Sequence, residues 1–328
     1  MNKVTAVSPA NIAFIKYWGK ANSKLNIPFN DSISMNLSNC LTKTIFEFGE
    51  GFKNDTVFIN GKKMEGDKKN RVVKILDLIR KKAKIKTYAR VESENNFPTG
   101  AGIASSASGF SALALAGSVA AGLSLSEKEV SSLARMGSGS ACRSIPDGFT
   151  YWKKGNSDSS SYAFQIAEPN FWDLRDIIAV TLEGGKKTSS TEGHELAKTS
   201  PYFEKRVREV GKRTKKLKKA LLSKNFEEFG RILEEEAVDL HVMAMTSHPP
   251  VFYWNSGTLT VMHKIFELRE KGILCYFTMD AGPNVHIICL GKDEKAVSGA
   301  IKKLPGVFKV IVNKPGEGAR IVGRKNQK

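Results

Sequence analysis

The segment Pro98–Gly122 constrains this chain more than any other. Pro98 and the glycines at 100 and 102 break the backbone, and the run from Ser106 to Gly122 then puts Ala, Leu and Phe on nearly every helical face. A helix that is apolar all round has to be covered on all sides, so the fold must be built around it. Ahead of it, TIFEF, TVFIN and TYARVESE alternate apolar and polar residues at period two, with turn-like GEGFKND and NGKKMEGD between them, which predicts a strand-rich N-terminal third. Within that third, Arg71–Lys82 sets Val72, Ile75, Leu76 and Ile79 at i, i+3, i+4 and i+7, the pattern of a one-sided helix with a basic outer face. Ser126 followed by Glu129 is a capping-box signal for a further helix. Residues 137–161 read as Gly/Ser-rich with two aromatic islands, and Ile177–Leu182 as a buried strand. After the polar stretch Gly184–Ser200 come two amphipathic helices, Tyr202–Leu222 and Phe226–Met245, a helix over 257–271, strands at Leu274–Thr278 and Val285–Leu290 around the turn Asp280–Asn284, a helix over 293–303 and a strand at 307–312. Interleaved helices and hairpins predict an α+β fold. The change of character near 185 suggests two domains, 1–185 and 186–328.

Composition narrows the function classes. At 328 residues, 41% hydrophobic and 26% charged, the chain reads as an ordinary folded protein rather than a disordered or coiled-coil one. No apolar run approaches the roughly 20 residues a membrane span needs, and the N-terminus lacks a signal-peptide core; no membrane association is expected, and the location is expected to be cytoplasmic. The four cysteines are isolated and the five histidines show no H-E-x-x-H spacing, so neither a zinc site nor a disulfide framework is predicted. A net charge of +18 points to an anionic partner: nucleic acid, a charged surface or a small anionic substrate. The best nucleic-acid candidate, Lys205–Lys219, has nine basic residues and one acid but no interleaved aromatics. It reads as a solvated helix face, and nucleic acid is not expected.

Four short segments carry chemistry. Gly100–Ser105 superficially matches G-x-G-x-x-G, but a dinucleotide site wants an acid about 20 residues on, and Ala120–Ser126 has none. There is no G-x-x-x-x-G-K-[ST] either. What remains is a glycine-rich entry to a helix with a Ser-Ser-Ala-Ser run, where free N–H groups, the helix dipole and hydroxyls favour a phosphate; a tight turn for close packing is the alternative. Lys16 and Lys20 flank Tyr17 and Trp18, either as an anion site or as lysines snorkelling beside an aromatic cluster. Gly137–Ser144 (GSGSACRS) combines hydroxyls, flexible backbone and one guanidinium, suited to an oxyanion or to a plain loop. Asp280, in MDAGPNVH, is a lone carboxylate ahead of a Gly-Pro turn, a position equally suited to an Asx-turn.

Together NIAFIKYWGK, NDSIS (Asn30–Ser34), FPTGAGIASSASGF, ARMGSGSACRSI, KKTSSTEG (Lys186–Gly193) and YFTMDAGPNVH resemble, in order and over nearly the whole chain, the mevalonate diphosphate decarboxylases of the GHMP kinase superfamily. The resemblance implies a GHMP kinase fold, with an N-terminal half like ribosomal protein S5 domain 2, a ferredoxin-like C-terminal half and a homodimer. It implies ATP- and Mg²⁺-dependent conversion of 5-diphosphomevalonate to isopentenyl diphosphate, ADP, phosphate and CO₂ in the mevalonate pathway. On matched positions, Asp280, Lys16 and Asn11 would be catalytic, with Asn11 orienting the Lys16–Asp280 pair. Tyr17, Lys20, Ser138, Ser140, Arg143, Ser190 and Thr191 would hold the substrate. Pro98, Gly100, Gly102, Ala104, Ser105, Ser106 and Ser108 would hold ATP, with Mg²⁺ carried by the nucleotide near Ser106. His194 stands where most relatives have Met. His241–Trp254 looks more like the phosphomevalonate decarboxylases, which make isopentenyl phosphate, while FTMDAGPNVH and KYWGK favour the diphosphate branch; a GHMP kinase acting without decarboxylation is the other alternative.

Overall fold

The computed structural model describes residues 3–98, 103–182 and 188–325. In chain order the elements are β1 Lys3–Ile15, β2 Lys20–Asn22, β3 Ile27–Pro28, β4 Ser32–Gly49, β5 Thr56–Ile59, β6 Lys62–Lys63, α1 Gly66–Ala83, β7 Tyr88–Asn95, α2 Ser105–Ala120, α3 Glu127–Gly137, a 3-10 turn Gly139–Ser144, β8 Phe149–Lys153, β9 Tyr162–Ala167 and β10 Leu174–Val180. There follow α4 Ser190–Leu196, α5 Phe203–Leu222, α6 Phe226–Met245, α7 Ser256–Glu270, β11 Cys275–Thr278, β12 Val285–Leu290, α8 Glu294–Lys302, β13 Lys309–Asn313 and β14 Arg320–Lys325.

The elements stack in five layers. α1, α2 and α3 cover one face of a sheet ordered β14-β1-β4-β7-β5-β6, with β8 and β9 attached at β4. The other face of that sheet meets α5 and α6. These helices lie against a second, antiparallel sheet ordered β11-β12-β10-β13, whose far side is closed by α7 and α8. With β10, β11, β12 and β13 counted one to four, the order is 4-1-3-2 in a βαββαβ unit, as the ferredoxin-like expectation requires. The aromatics of the Gly/Ser-rich stretch, Phe149, Tyr151 and Trp152, lie on β8, which pairs with β9 just beyond that stretch. The chain changes sheet between Ala167 and Leu174, ahead of the division expected near 185, and β14 returns to the first sheet beside β1.

α2 is buried as its composition demands: Ala107, Phe110, Ala112, Leu113, Ala114 and Ala116 all face neighbours. Gly117 lets it approach the sheet, because a Cβ there would sit 2.7 Å from Ile79 and 3.1 Å from Phe46. α3 carries the expected capping box, with Ser126 and Glu129 bonded reciprocally. On β10, Ile177 and Ala179 join the outer core while Leu174, Ile178 and Val180 join the inner one, so both faces are buried by simple alternation. β1 is less regular. Its register with β4 shifts between Pro9 and Asn11, and this turns Asn11 toward the 3-10 turn while Ala10, Ile12 and Phe14 enter the inner core. Between these pairs one residue of β1 faces four of β4, and the side chains beyond are re-aimed as at a β-bulge.

Candidate active site

β1 ends at Ile15, and the next residue, Lys16, is 1% exposed. Its ammonium donates to Asp280 Oδ1 at 2.8 Å and to the Ala13 carbonyl at 2.7 Å. Asp280 follows β11 in a tight turn closed by Gly282 N–H donating to its carbonyl at 2.7 Å, and its carboxylate keeps 22% exposure toward a cleft. The pair therefore joins the first sheet to the second. Burial is the largest influence on both groups. It takes Lys16 below the ordinary lysine value, with Asp280 and Glu236 pulling it back up. Burial would raise Asp280, but Lys16 and Arg143 outweigh it and hold the carboxyl below its ordinary range. The aspartate is thus ionised at neutral pH.

The cleft is a cavity of about 440 Å³ lined by Lys16, Lys20, Arg71, Lys74 and Arg143, with Asp280 as the one carboxylate among its described lining residues. Five cations around a single anion make it an anion receptor. Arg143, 2% exposed, donates through Nε to Asn11 Oδ1 at 3.0 Å and through Nη1 to Ser32 Oγ at 2.7 Å. Both acceptors are neutral and, among the described residues, no carboxylate lies within ion-pair distance, so its charge is available to a ligand. Asn11 donates to Ser144 Oγ at 2.7 Å and to the Ser140 carbonyl at 3.1 Å. It orients Arg143 and the Ser140 turn, in place of the Lys16–Asp280 pair expected for it; the register shift in β1 is the reason. The Tyr17 hydroxyl is buried with no hydrogen-bond partner, and the ring packs on Trp152 at 4.8 Å. Gly139 is required beside it, since a Cβ would lie 2.5 Å from the Tyr17 ring. Lys20 is lowered chiefly by burial, and also by Arg71 and Lys74.

Ser105 and Ser106 open α2 and line the cavity with Ala104. Ala104, the N-cap, brings no side-chain cap; the Ser105 and Ala107 N–H groups already donate to the Ile103 and Ala104 carbonyls, so among the described residues the Ser106 N–H is the donor left at the helix start for a ligand oxygen. The Ser106 hydroxyl is 3.2 Å from that of Ser138, itself 3.4 Å from Ser140 Oγ. Two expected ATP contacts do not reach this surface. Ser108 is fully buried, bonded to Thr42 Oγ1 at 2.5 Å on the sheet side of α2, because a position two beyond the exposed Ser106 lies about 200° round the helix. Pro98 also lies off the cavity lining. Gly100, Gly102 and Lys186 fall outside the described residues. From the second half, Ser190 and Thr191 reach the cleft on α4, which Ser189 caps by accepting from Glu192 N–H at 3.1 Å. His194 fastens α4 to the Lys16–Lys20 loop: its Nδ1 accepts Gly19 N–H at 3.0 Å and its ring stacks 4.1 Å from Tyr17. A methionine could not accept that hydrogen bond with comparable strength.

Arg71 and Lys74 were expected on a solvated face of α1. Arg71 instead turns inward, donating to the Gly137 carbonyl at 3.1 Å with its guanidinium 5.0 Å over the Phe110 ring. Its place one residue before the apolar stripe, at Val72, is the signal that the edge of the helix would be partly covered.

Residues 8–163 match the diphosphomevalonate decarboxylase-like N-terminal domain, and residues 176–318 the mevalonate 5-diphosphate decarboxylase C-terminal domain. The diphosphomevalonate decarboxylases of Debaryomyces hansenii and Saccharomyces cerevisiae are 36% and 35% identical, over 91% and 92% of this chain and 82% and 81% of theirs. The crystal structure of mevalonate diphosphate decarboxylase from Staphylococcus aureus superposes with a TM-score of 0.93 at 38% identity, covering 98% of this chain and 99% of that one. The structure of MDDEF in complex with MVAPP, AMPPCP and magnesium gives 0.92 at 37% identity, with the same coverage. With an anion cleft built between two sheets and similarity along nearly its full length, the chain belongs to the diphosphomevalonate decarboxylase family, on the GHMP kinase fold.

Proposed function

We propose that the cleft carries out the ATP-dependent decarboxylation of 5-diphosphomevalonate to isopentenyl diphosphate, releasing ADP, phosphate and CO₂. The observation that carries this reading is the Lys16–Asp280 pair, bonded at 2.8 Å and partly open to a cavity whose other charged lining groups are all basic. ATP supplies the phosphoryl group that converts the substrate's 3-hydroxyl into a leaving group, and Mg²⁺ tempers the charge of the nucleotide phosphates. The residues fit both: the start of α2 offers the Ser106 N–H and the Ser105 and Ser106 hydroxyls. Among the described residues no group of three or more His, Cys, Asp and Glu could hold a metal by itself, which suits an ion that arrives on the nucleotide.

Asp280 would accept the 3-hydroxyl proton. A carboxylate held below the ordinary range is a weak base, so proton acceptance must accompany phosphoryl transfer rather than precede it, and positioning matters more than basicity. Lys16 keeps Asp280 ionised and then offers positive charge to the departing phosphate. Arg143, which feels the Asp280 charge but forms no direct ion pair among the described residues, suits the substrate carboxylate or phosphate, and Asn11 aims it. Lys20, Arg71, Lys74, Ser138, Ser140 and the Tyr17 hydroxyl would grip the phosphate end, with Ser190 and Thr191 closing from α4. The cation count favours the diphosphate over the monophosphate. The helix of Lys205–Lys219 turns Arg206 and Arg213 inward onto carboxylates, while Lys205, Arg208, Lys212, Lys215, Lys216 and Lys219 stay exposed. No helix among the described residues is long and apolar enough to cross a membrane. A cytoplasmic location and a homodimer belong to the same proposal and are checked by fractionation and light scattering.

The test is a side-by-side assay with ATP, Mg²⁺ and either 5-diphosphomevalonate or 5-phosphomevalonate. Equal release of CO₂ and ADP from the diphosphate supports the reading. ADP without CO₂ would make the enzyme a kinase, and turnover of the monophosphate alone would move it to the other branch.

A further inference from the structure

Lys16 is held at three points, and two of them come from helices of the other half. Its side chain ends on Asp280 and Ala13. Its backbone N–H donates to Glu236 Oε1 of α6 at 2.9 Å. Its carbonyl accepts from Arg206 Nη2 of α5 at 3.2 Å and from Asn30 Nδ2 at 3.1 Å. Glu236 is fully buried and Arg206 is 3% exposed. They bond to each other through Arg206 Nη2 with Glu236 Oε1 and through Nη1 with Oε2 at 3.0 Å. Arg213 Nη1 adds a bond to Glu236 Oε2 at 2.6 Å, and Asp239 takes both Arg206 and Arg213 at 2.7 Å. With Glu235, which accepts from Arg213 Nη2 at 2.9 Å at the outer edge, two guanidiniums meet three carboxylates.

Such a cluster is a poor way to gain stability, since taking ions out of water costs about as much as their attraction returns, and an apolar pair of similar size often does better. What it does supply is a fixed place for both peptide groups of one residue. Lysine has four rotatable side-chain bonds, so an ammonium aimed at Asp280 needs its backbone anchored. The charged groups facing Lys16 are Asp280 from the turn after β11, Glu236 from α6, Arg206 from α5 and Arg143 from the 3-10 turn; those facing Glu236 are Arg206, Arg213 and Lys16.

We propose that Glu236, fixed by Arg206 and Arg213, is the positioning residue for Lys16, anchoring the end of β1 from α6 so that the ammonium meets Asp280. This rests on the role of Lys16 given above. Glu236 is not among the residues that line the cavity; it acts through the backbone of Lys16 and through its charge, one of two anions that favour the ammonium form.

The experiment uses the full chain with ATP, Mg²⁺ and 5-diphosphomevalonate. Glu236→Gln keeps an oxygen for the Lys16 N–H but loses the charge. The expected result is a kcat at least about tenfold lower, with both KM values within about threefold, and an alkaline limb of the kcat profile moved to lower pH, because Asp280 alone then supports the ammonium. Glu236→Asp should restore the limb more than it restores kcat. Since Glu236→Gln strands Arg206, a second variant, Arg206→Met with Glu236→Leu, removes the pair together and should fold as well as the parent while showing the same loss of kcat. Full kcat in the double variant, or an unmoved limb in Glu236→Gln, would overturn the proposal. Lys16→Ala run alongside separates the two readings: if it turns over normally the role of Lys16 fails, whereas if it is inactive and the Glu236 variants are normal only the present inference fails.

Discussion

Replacing Asp280 with Asn removes the proton acceptor while keeping the side chain's shape, and the structure allows its two consequences to be separated. The catalytic one is the loss of a positioned base, which contributes about 10²–10⁴-fold, or about 2.7–5.4 kcal/mol at 1.36 kcal/mol per decade. The structural one is the stranding of Lys16, at 1% exposure, whose remaining side-chain acceptor among the described residues is the neutral Ala13 carbonyl. Breaking a buried ion pair costs about 3–5 kcal/mol. Here the carboxylate keeps 22% exposure and the amide can still accept a hydrogen bond, so the cost falls at or below the lower end of that range. Asp280→Asn should therefore remain folded at 25 °C, melt measurably earlier, and lose at least a hundredfold in kcat with a smaller change in the KM for ATP. ADP release in a coupled assay and a thermal melt on the same preparation provide both numbers. A kcat within tenfold of the parent in a folded protein would refute the reasoning.

Ser106→Ala and Ser108→Ala separate the two sides of α2. The first should raise the KM for ATP several-fold with little change in stability; the second should leave that KM alone and cost about 1 kcal/mol in denaturant unfolding, as the loss of a buried hydroxyl pair with Thr42. Gly139→Ala drives a methyl into the Tyr17 ring, so about 1–3 kcal/mol of destabilisation should come with weakened substrate binding, measurable by calorimetry. Arg71→Met should raise the KM for 5-diphosphomevalonate about tenfold and reduce its salt dependence, and a salt series on kcat/KM checks it. Because the folded pKa of Asp280 is depressed, its ion pair contributes stability above the unfolded carboxyl's value of about 4 and loses it only as pH falls through the lower folded value; acid unfolding of Asp280→Asn should lack that component.

The residues that touch one another within a motif were legible. Lys16, Tyr17 and Lys20 share one segment, and Ser138, Ser140 and Arg143 another, and both segments line the cleft. The helices were legible too wherever apolar spacing or a capping box marked them, as at α1 and α3. What the linear order hides is which face of a helix finds a partner. Lys205–Lys219 reads as a solvated run, yet Arg206 and Arg213 continue the stripe of Val210 and Leu217 and meet Glu236 and Asp239, three apart on the inward side of α6. Charged residues in register with an apolar stripe were the available signal. Ser108 misleads in the opposite sense, since composition marks the serine run as a phosphate site while helical geometry turns its last member toward Thr42. Asn11 depends on a register shift in β1 that no residue pattern announces.

The central claim is that one ionised pair, Lys16 with Asp280, serves phosphoryl transfer that ends in loss of CO₂. Simultaneous measurement of ADP and CO₂ from 5-diphosphomevalonate, for the parent and Asp280→Asn, tests it most directly. One CO₂ per ADP in the parent, with both falling together by at least a hundredfold in the variant, is the predicted result. ADP formed without CO₂ in the parent, or undiminished release of both in the variant, would contradict it.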